Sequence, residues 1–558
     1  MSLENLNDAH VRMETTVTMV GGSDEPIASP SSFSGKQKEA SGPTIVIDGV
    51  PVVPVTSVND TTIPPNHPCR TLVVCFDGTG DQFDEDNSNI VEFVGLLKKD
   101  DPSKQMVYYQ SGIGTFTSPQ YSTSRIASNI SLFLDKAFAW NLEAHVTGGY
   151  EFLMQNYRPS DKICIFGFSR GSYTAQCLAG MLQKVGLLPA FNNQQIPFAY
   201  KMYKAADRAG FTQSGEFKRK FGNEVKIEFI GLWDTVNSVG LTPRRMPFTL
   251  SNTAVRTFRH AVALDEHRAK FKPVHWHRPN QRRPKLAKIP VGEFAMTIFE
   301  GMFADDFELE GEEEGGTNID EVWFAGCHCD IGGGSVKNSV KTSLARIPLR
   351  WMIRECFKMD SGILFRADRL KTVNLDPNTL YPEISRRPEA LPLTTLAADD
   401  MYIKHMNPQD RVMEPGPFAW FFELFKKSTV AGESQSDEEN DNTLEVPIDS
   451  EELADLKDSL APIHDQLELN RFWWIAEYIP FKQRYQEVDK KLQLHPEVRK
   501  MNEGLGRKIP TYQGNECAYV PVRVHRTVKT RMAAAFRNGD KYAPRVLNFD
   551  EERVEWVD

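Results

Sequence analysis

Between residues 70 and 357, short apolar runs alternate with longer stretches whose apolar positions recur with a helical period. Residues 70–76, 105–109, 163–166, 225–233 and 321–326 read as buried strands, each running into a polar or glycine-bearing turn. Residues 89–98, 131–155 (as one or two helices), 173–185 and 344–357 read as helices. In 173–185, Ala175, Leu178, Ala179 and Leu182 fall at i, i+3, i+4 and i+7, and Gly186 stands where a C-cap belongs. Residues 190–220 and 259–268 also read as helical. Strand alternating with helix predicts an α/β fold, a mostly parallel sheet with helices on both faces.

The flanks are different. Residues 1–66 are rich in Ser, Thr, Pro, Gly and Asp and are expected to form a disordered arm, strand-like only near 44–47. A catalytic domain is expected over 67–357, with an acidic insertion at about 284–318. Residues 358–558 are expected to be a C-terminal extension of helical additions packed on that domain. They include a helix at 451–460, an acidic linker at 428–445 and a peripheral tail. The aromatic run 417–427 admits two readings, a lid or membrane-surface segment or a helix packed on the core; the packed helix is favoured. The aromatic cluster 471–480 is likewise expected to pack on the core.

The net charge of −10 over 558 residues argues against nucleic acid as a partner. No apolar run reaches the length of a membrane span, and the N-terminus lacks the basic and apolar regions of a secretory signal. Cys75, Cys164, Cys177 and Cys356 lie in apolar contexts and read as buried free thiols. A cytoplasmic protein is expected, with peripheral membrane contact left open. Cys327-His328-Cys329 suits tetrahedral zinc poorly, and no second Cys/His pair has metal-site spacing, so no metal is expected.

The chemistry centres on Gly167-Phe168-Ser169-Arg170-Gly171. A Gly-x-Ser-x-Gly turn between a strand and a helix is the setting of a nucleophile elbow, with Ser169 exposed above the sheet. The two glycines are needed because a Cβ at either would collide with the neighbouring strand or helix. Asp234 ends the next strand and His328 follows a late one, so the chain order is Ser, Asp, His. Asp234 could instead be a turn former, and His328 a plain loop residue shaped by Asp330 and three glycines. His260 competes as the base but sits within the expected helix 259–268, which favours a supporting role. The Arg170 amide, with Gly78 or Thr79 from the turn Asp77-Gly78-Thr79-Gly80, could form an oxyanion hole. That turn also admits a phosphate cradle or a simple tight turn, although the lysine signature of a P-loop is absent.

Six stretches in order, 72–80, 107–115, 167–172, 231–236, 259–266 and 321–334, resemble the catalytic domain of type VI secretion phospholipase effectors, a family widespread in fungi. Residues 473–480 resemble the C-terminal part of its fungal members. The resemblance implies an α/β-hydrolase fold, a Ser169-Asp234-His328 triad, ester hydrolysis in a phospholipid and no cofactor. Cys327 and Cys329 stand where small or varied residues are expected. The rival reading, from another class, is a hydrolase fold kept as a non-catalytic lipid- or protein-binding scaffold.

Overall fold

The structure is a computed structural model. It describes residues 45–47, 50–52, 62–78, 83–112, 130–236, 246–276, 316–396, 449–478, 481–482, 499–509, 522–535 and 541–558. Most of the N-terminal arm, nearly all of the acidic insertion, residues 417–427 and the linker 428–445 lie outside them, as does Thr79. The chain forms two units, Met1–Asn59 and Asp60–Asp558. Within the first, Ile45–Ile47 pairs antiparallel with Val50–Val52.

The second unit is built on an eight-stranded sheet. Its strands are β1 (Thr71–Phe76), β2 (Gln105–Gln110), β3 (Lys162–Phe168), β4 (Ile227–Trp233), β5 (Val255–Ala263), β6 (Asn318–Phe324), β7 (Val522–His525) and β8 (Val554–Val557). They lie in the order β2-β1-β3-β4-β5-β6-β7-β8, and every pairing is parallel. A parallel sheet must be covered on both faces, so its strands are apolar almost throughout. Alternation then sorts side chains between two cores. Val73, Cys75, Cys164 and Phe166 face one; Leu72, Val74, Ile163 and Ile165 face the other.

Helices α1 (Asn89–Leu96), α2 (Ile130–Asn156) and α3 (Arg170–Val185) follow β1, β2 and β3. α4 (Ile196–Lys204) and α5 (Arg208–Phe221) precede β4, and the short α6 (His328–Gly332) and α7 (Arg346–Lys358) follow β6. Ala175, Leu178, Ala179 and Leu182 are buried on α3. The helix stops at Gly186, whose φ of 71° is open to glycine and whose amide donates to Leu182 O. Lys184, near that end, is buried and donates to the carbonyls of Met202, Tyr203 and Ala205. Burial lowers its pKa to about 8.

Two expectations are corrected. Residues 259–263 belong to strand β5, not to a helix. Thr257 through Ala263 are all buried between two layers, polar Thr257, Arg259 and His260 included, so no in-out alternation marks the strand and a helical period arises by coincidence. The tail is not peripheral: β7 joins β6, and β8, from the last residues, forms the sheet edge. The extension also contains the helices α8 (Glu451–Ser459) and α9 (Arg526–Ala533). Among the described residues, no helix is long and apolar enough to cross a membrane.

The strand order reverses between β1 and β3, a switch point whose neighbouring helices α1 and α3 pack on opposite faces of the sheet. The carboxyl ends of these two strands carry Asp77-Gly78 and Ser169.

Candidate active site

Ser169 sits at φ 58° and ψ −122°, a region that non-glycine residues avoid at a cost of about 1–3 kcal/mol. Its amide donates to Trp233 O at 3.0 Å. The turn is made possible by two close approaches. A Cβ on Gly167 would lie 2.6 Å from Gly171 O and Ser172 N, and one on Gly171 would lie 2.4 Å from Phe76 O and Asp77 O. The end of β1 is thereby pressed against the first turn of α3.

His328 opens α6 just past β6. Its Nε2 lies 2.7 Å from Ser169 Oγ and its Nδ1 lies 2.6 Å from Asp234 Oδ2. With Asp234 ionised, Nδ1 carries the ring proton and donates, and Nε2 is left to accept from the serine hydroxyl. The imidazole is held between two aromatic rings, stacked on Phe168 and edge-on to Phe271, each with centroids 4.8 Å away. Its backbone amide donates to Glu266 Oε2. Ser169 is 6 % exposed, His328 3 % and Asp234 0 %.

Asp234 has a positive φ of 41° at the end of β4. Its carboxylate also accepts from Ala263 N at 2.9 Å and from both terminal nitrogens of Arg507, at 2.5 and 2.8 Å. Burial alone would push its pKa up. The Arg507 charge and the hydrogen bonds from His328 and Arg507 outweigh it and hold the group well below the usual carboxylate range.

The other expected site residues are placed as follows. Arg170 is the first residue of α3. Gly78 N donates to Asp77 Oδ1 at 2.8 Å. Asp77 is buried and also accepts from Ser88 Oγ at 2.6 Å and Tyr109 OH at 2.8 Å; burial raises its pKa. Asp330 Oδ2 accepts from Cys327 N and His464 N, and Oδ1 is 2.7 Å from His464 Nδ1. His260 is engaged elsewhere, with Nε2 accepting from Thr235 N and Nδ1 2.9 Å from Glu321 Oε1. It therefore supports the turn that carries Asp234.

His260, His275 and Glu321 converge closely enough to suggest a cation site. The proton arrangement argues against one. Thr235 N occupies the lone pair of His260 Nε2, so Nδ1 carries the proton and has no lone pair for a metal. Glu321 Oε1 is a shared acceptor for His260, His275 and the Trp276 amide. Burial would raise its pKa, but the two imidazoles outweigh it and keep Glu321 well below the usual carboxylate range.

Arg507, Glu266 and Phe271 are site neighbours that sequence reasoning missed. Glu266 stood within a quoted motif. Arg507 had only the glycine-bearing stretch Gly504-Leu505-Gly506 before it as a signal.

Comparison with known proteins places residues 70–355 under the family model for the T6SS phospholipase effector Tle1-like catalytic domain. An uncharacterised Saccharomyces cerevisiae protein, YEL023C, is 39 % identical over 218 residues, which is 36 % of this chain and 32 % of that protein. A crystal structure of an uncharacterised protein from Pseudomonas aeruginosa aligns over 57 % of this chain and 49 % of its own, at 18 % identity and TM-score 0.29. The structure of the Tle1 effector bound to the VgrG spike of the type 6 secretion system aligns over 48 % and 52 %, at 19 % identity and TM-score 0.24. The chain thus spans about a third of the yeast protein and about half of each solved chain.

Proposed function

Because the chain belongs to the T6SS Tle1-like phospholipase effector catalytic-domain family, we propose that it is a serine hydrolase cleaving carboxylic ester bonds in phospholipids. The observation that carries this reading is the unbroken hydrogen-bonded line Ser169 Oγ, His328 Nε2, His328 Nδ1, Asp234 Oδ2, mounted on a strained serine turn.

In the proposed reaction His328 takes the hydroxyl proton as Ser169 Oγ attacks the ester carbonyl carbon. The tetrahedral oxyanion is met by the Arg170 amide at the start of α3 and by an amide of the Gly78-Thr79 turn. Gly78 N must leave Asp77 Oδ1 to take that part. His328 then returns the proton to the leaving alcohol, giving an acyl-Ser169 ester. Water, deprotonated by the same ring, releases the fatty acid. Asp234 keeps the Nδ1 proton in place and stabilises the imidazolium that forms.

The test is fatty-acid release from mixed phospholipid vesicles by the wild-type protein and by Ser169→Ala. Activity in the first and a fall of about 10⁴-fold or more in the second is expected. Equal rates would sink the assignment. The near closure of Ser169 favours a second reading, a hydrolase fold kept for binding. A fluorophosphonate decides between them, because only an activated serine becomes labelled.

A further inference from the structure

Arg507 lies outside the family-matched residues 70–355, and its partner Asp234 lies 273 positions earlier. Its side chain is fully buried. Each of its five N–H donors has an acceptor. Nε and one hydrogen of Nη2 go to Phe271 O, one of Nη1 goes to Ala263 O, and the remaining two reach the oxygens of Asp234. Two of these acceptors bear directly on the site. Ala263 precedes the loop that carries Glu266, and Phe271 is the ring packed edge-on to His328. One guanidinium thus fixes the carboxylate and one wall of the imidazole slot together.

Asp234 Oδ2 is shared, accepting from His328 Nδ1 at 2.6 Å and Arg507 Nη2 at 2.8 Å. The carboxylate therefore faces two cationic partners once the imidazole is protonated. We infer that Arg507 is a positioning residue of this active site: it aims Asp234 at His328 and tempers how tightly Asp234 holds the imidazolium proton. The inference rests on the hydrolase reading above. A fork is required for it, since a lysine at 507 would bring charge but could not bridge both oxygens and Phe271 O.

The other charged groups facing this cluster are Glu266, which is paired with Arg268, then Lys272 and Glu477. A substitution at 507 leaves them all in place. Removing the guanidinium leaves the full charge of Asp234 acting on His328. The acid limb of kcat/KM, which reports loss of the neutral base, should then move to higher pH by roughly one unit.

The experiment measures kcat/KM from about pH 5 to 9 on p-nitrophenyl butyrate for the full-length wild type, Arg507→Met and Arg507→Lys. Each is also labelled with fluorophosphonate and checked for a cooperative melt. For Arg507→Met the upward shift of the acid limb is expected, with a loss of about ten- to a hundredfold at pH 7 that shrinks toward pH 9. Arg507→Lys should return the limb to its wild-type position while leaving kcat several-fold low. A loss uniform across pH in both variants would mean a merely structural residue and overturn the proposal. If Arg507→Met does not fold, Arg507→Gln takes its place: an acid limb moved to higher pH is expected, and an unshifted limb would overturn the proposal. A wild type that neither hydrolyses nor labels brings down the hydrolase reading and this inference with it. An active wild type with unshifted variants brings down this inference alone.

Discussion

Residues 70–355 and residues 449–558 meet around the same cluster of loops but are held by different forces. The first region contains the serine, aspartate and histidine and is organised by apolar layers on both faces of a sheet. The second contributes two strands and then reaches back with charged groups. Arg350 of α7 is bound by Asp455 and Asp458 of α8 at 2.5 and 2.6 Å, and Arg354 pairs with Glu451 at 2.6 Å. His464 meets Asp330, Asp465 meets His267, and Tyr542 OH and Arg545 N donate to Asp265. The turns that carry Asp234, Asp265–His267 and Asp330 thus have polar partners from the second region. Apolar layers position most of the sheet; buried ion pairs and hydrogen bonds from the second region fasten α7 and the turns, because a directed bond fixes a segment that has little surface to bury.

The sharpest test of that division compares chemistry lost in one region with support lost in the other. Asp234→Asn should cut kcat by about 10⁴-fold, since the amide no longer holds the reactive tautomer. Steady-state rates on a soluble ester will show it, and a smaller loss than for Arg507→Met would reverse the ranking of the two regions. Arg350→Met leaves Asp455 and Asp458 without their shared guanidinium inside the protein and should cost about 3–5 kcal/mol in urea unfolding. A loss below about 1 kcal/mol would mean that these pairs behave as surface pairs do.

The pair His267–Asp465 predicts a pH-dependent contribution. Burial opposes the charged imidazole, but the hydrogen bond and charge of Asp465 outweigh it, so the His267 pKa is raised; Asp465 is lowered. A raised histidine contributes its full stability below the unfolded value of about 6.5 and loses it as pH climbs through the folded pKa. The melting-temperature gap between wild type and His267→Gln should therefore be widest near pH 6 and close toward pH 9. A gap that widened with pH would contradict the pairing. The smallest effect belongs to the first region: Tyr109→Phe removes one of three donors to Asp77 and should cost about 1 kcal/mol in thermal unfolding.

What could be read in the sequence follows the same division. β1, β3, β4 and α3 were legible because their patterns are local, and Ser169 stood out because the elbow needs its glycines at fixed spacing. Residues 259–263 were misread because a strand buried on both faces has no alternation to display. The strand Val554–Val557 was missed because it is short and lies at an edge, paired on one side only. Arg507 was invisible for a deeper reason. An ion pair between residues 273 apart leaves no periodicity, spacing or composition to detect.

That same separation sets an order of events during synthesis. At about 5–20 residues per second, a ribosome adds Arg507 some tens of seconds or less after Asp234. The elbow strand and its neighbours are made before Asp234, and His328 within the interval, so a nascent chain can hold its serine and histidine before the clamp on Asp234 exists. A chain stalled short of residue 507 would thus carry Ser169, Asp234 and His328 with the aspartate not yet gripped.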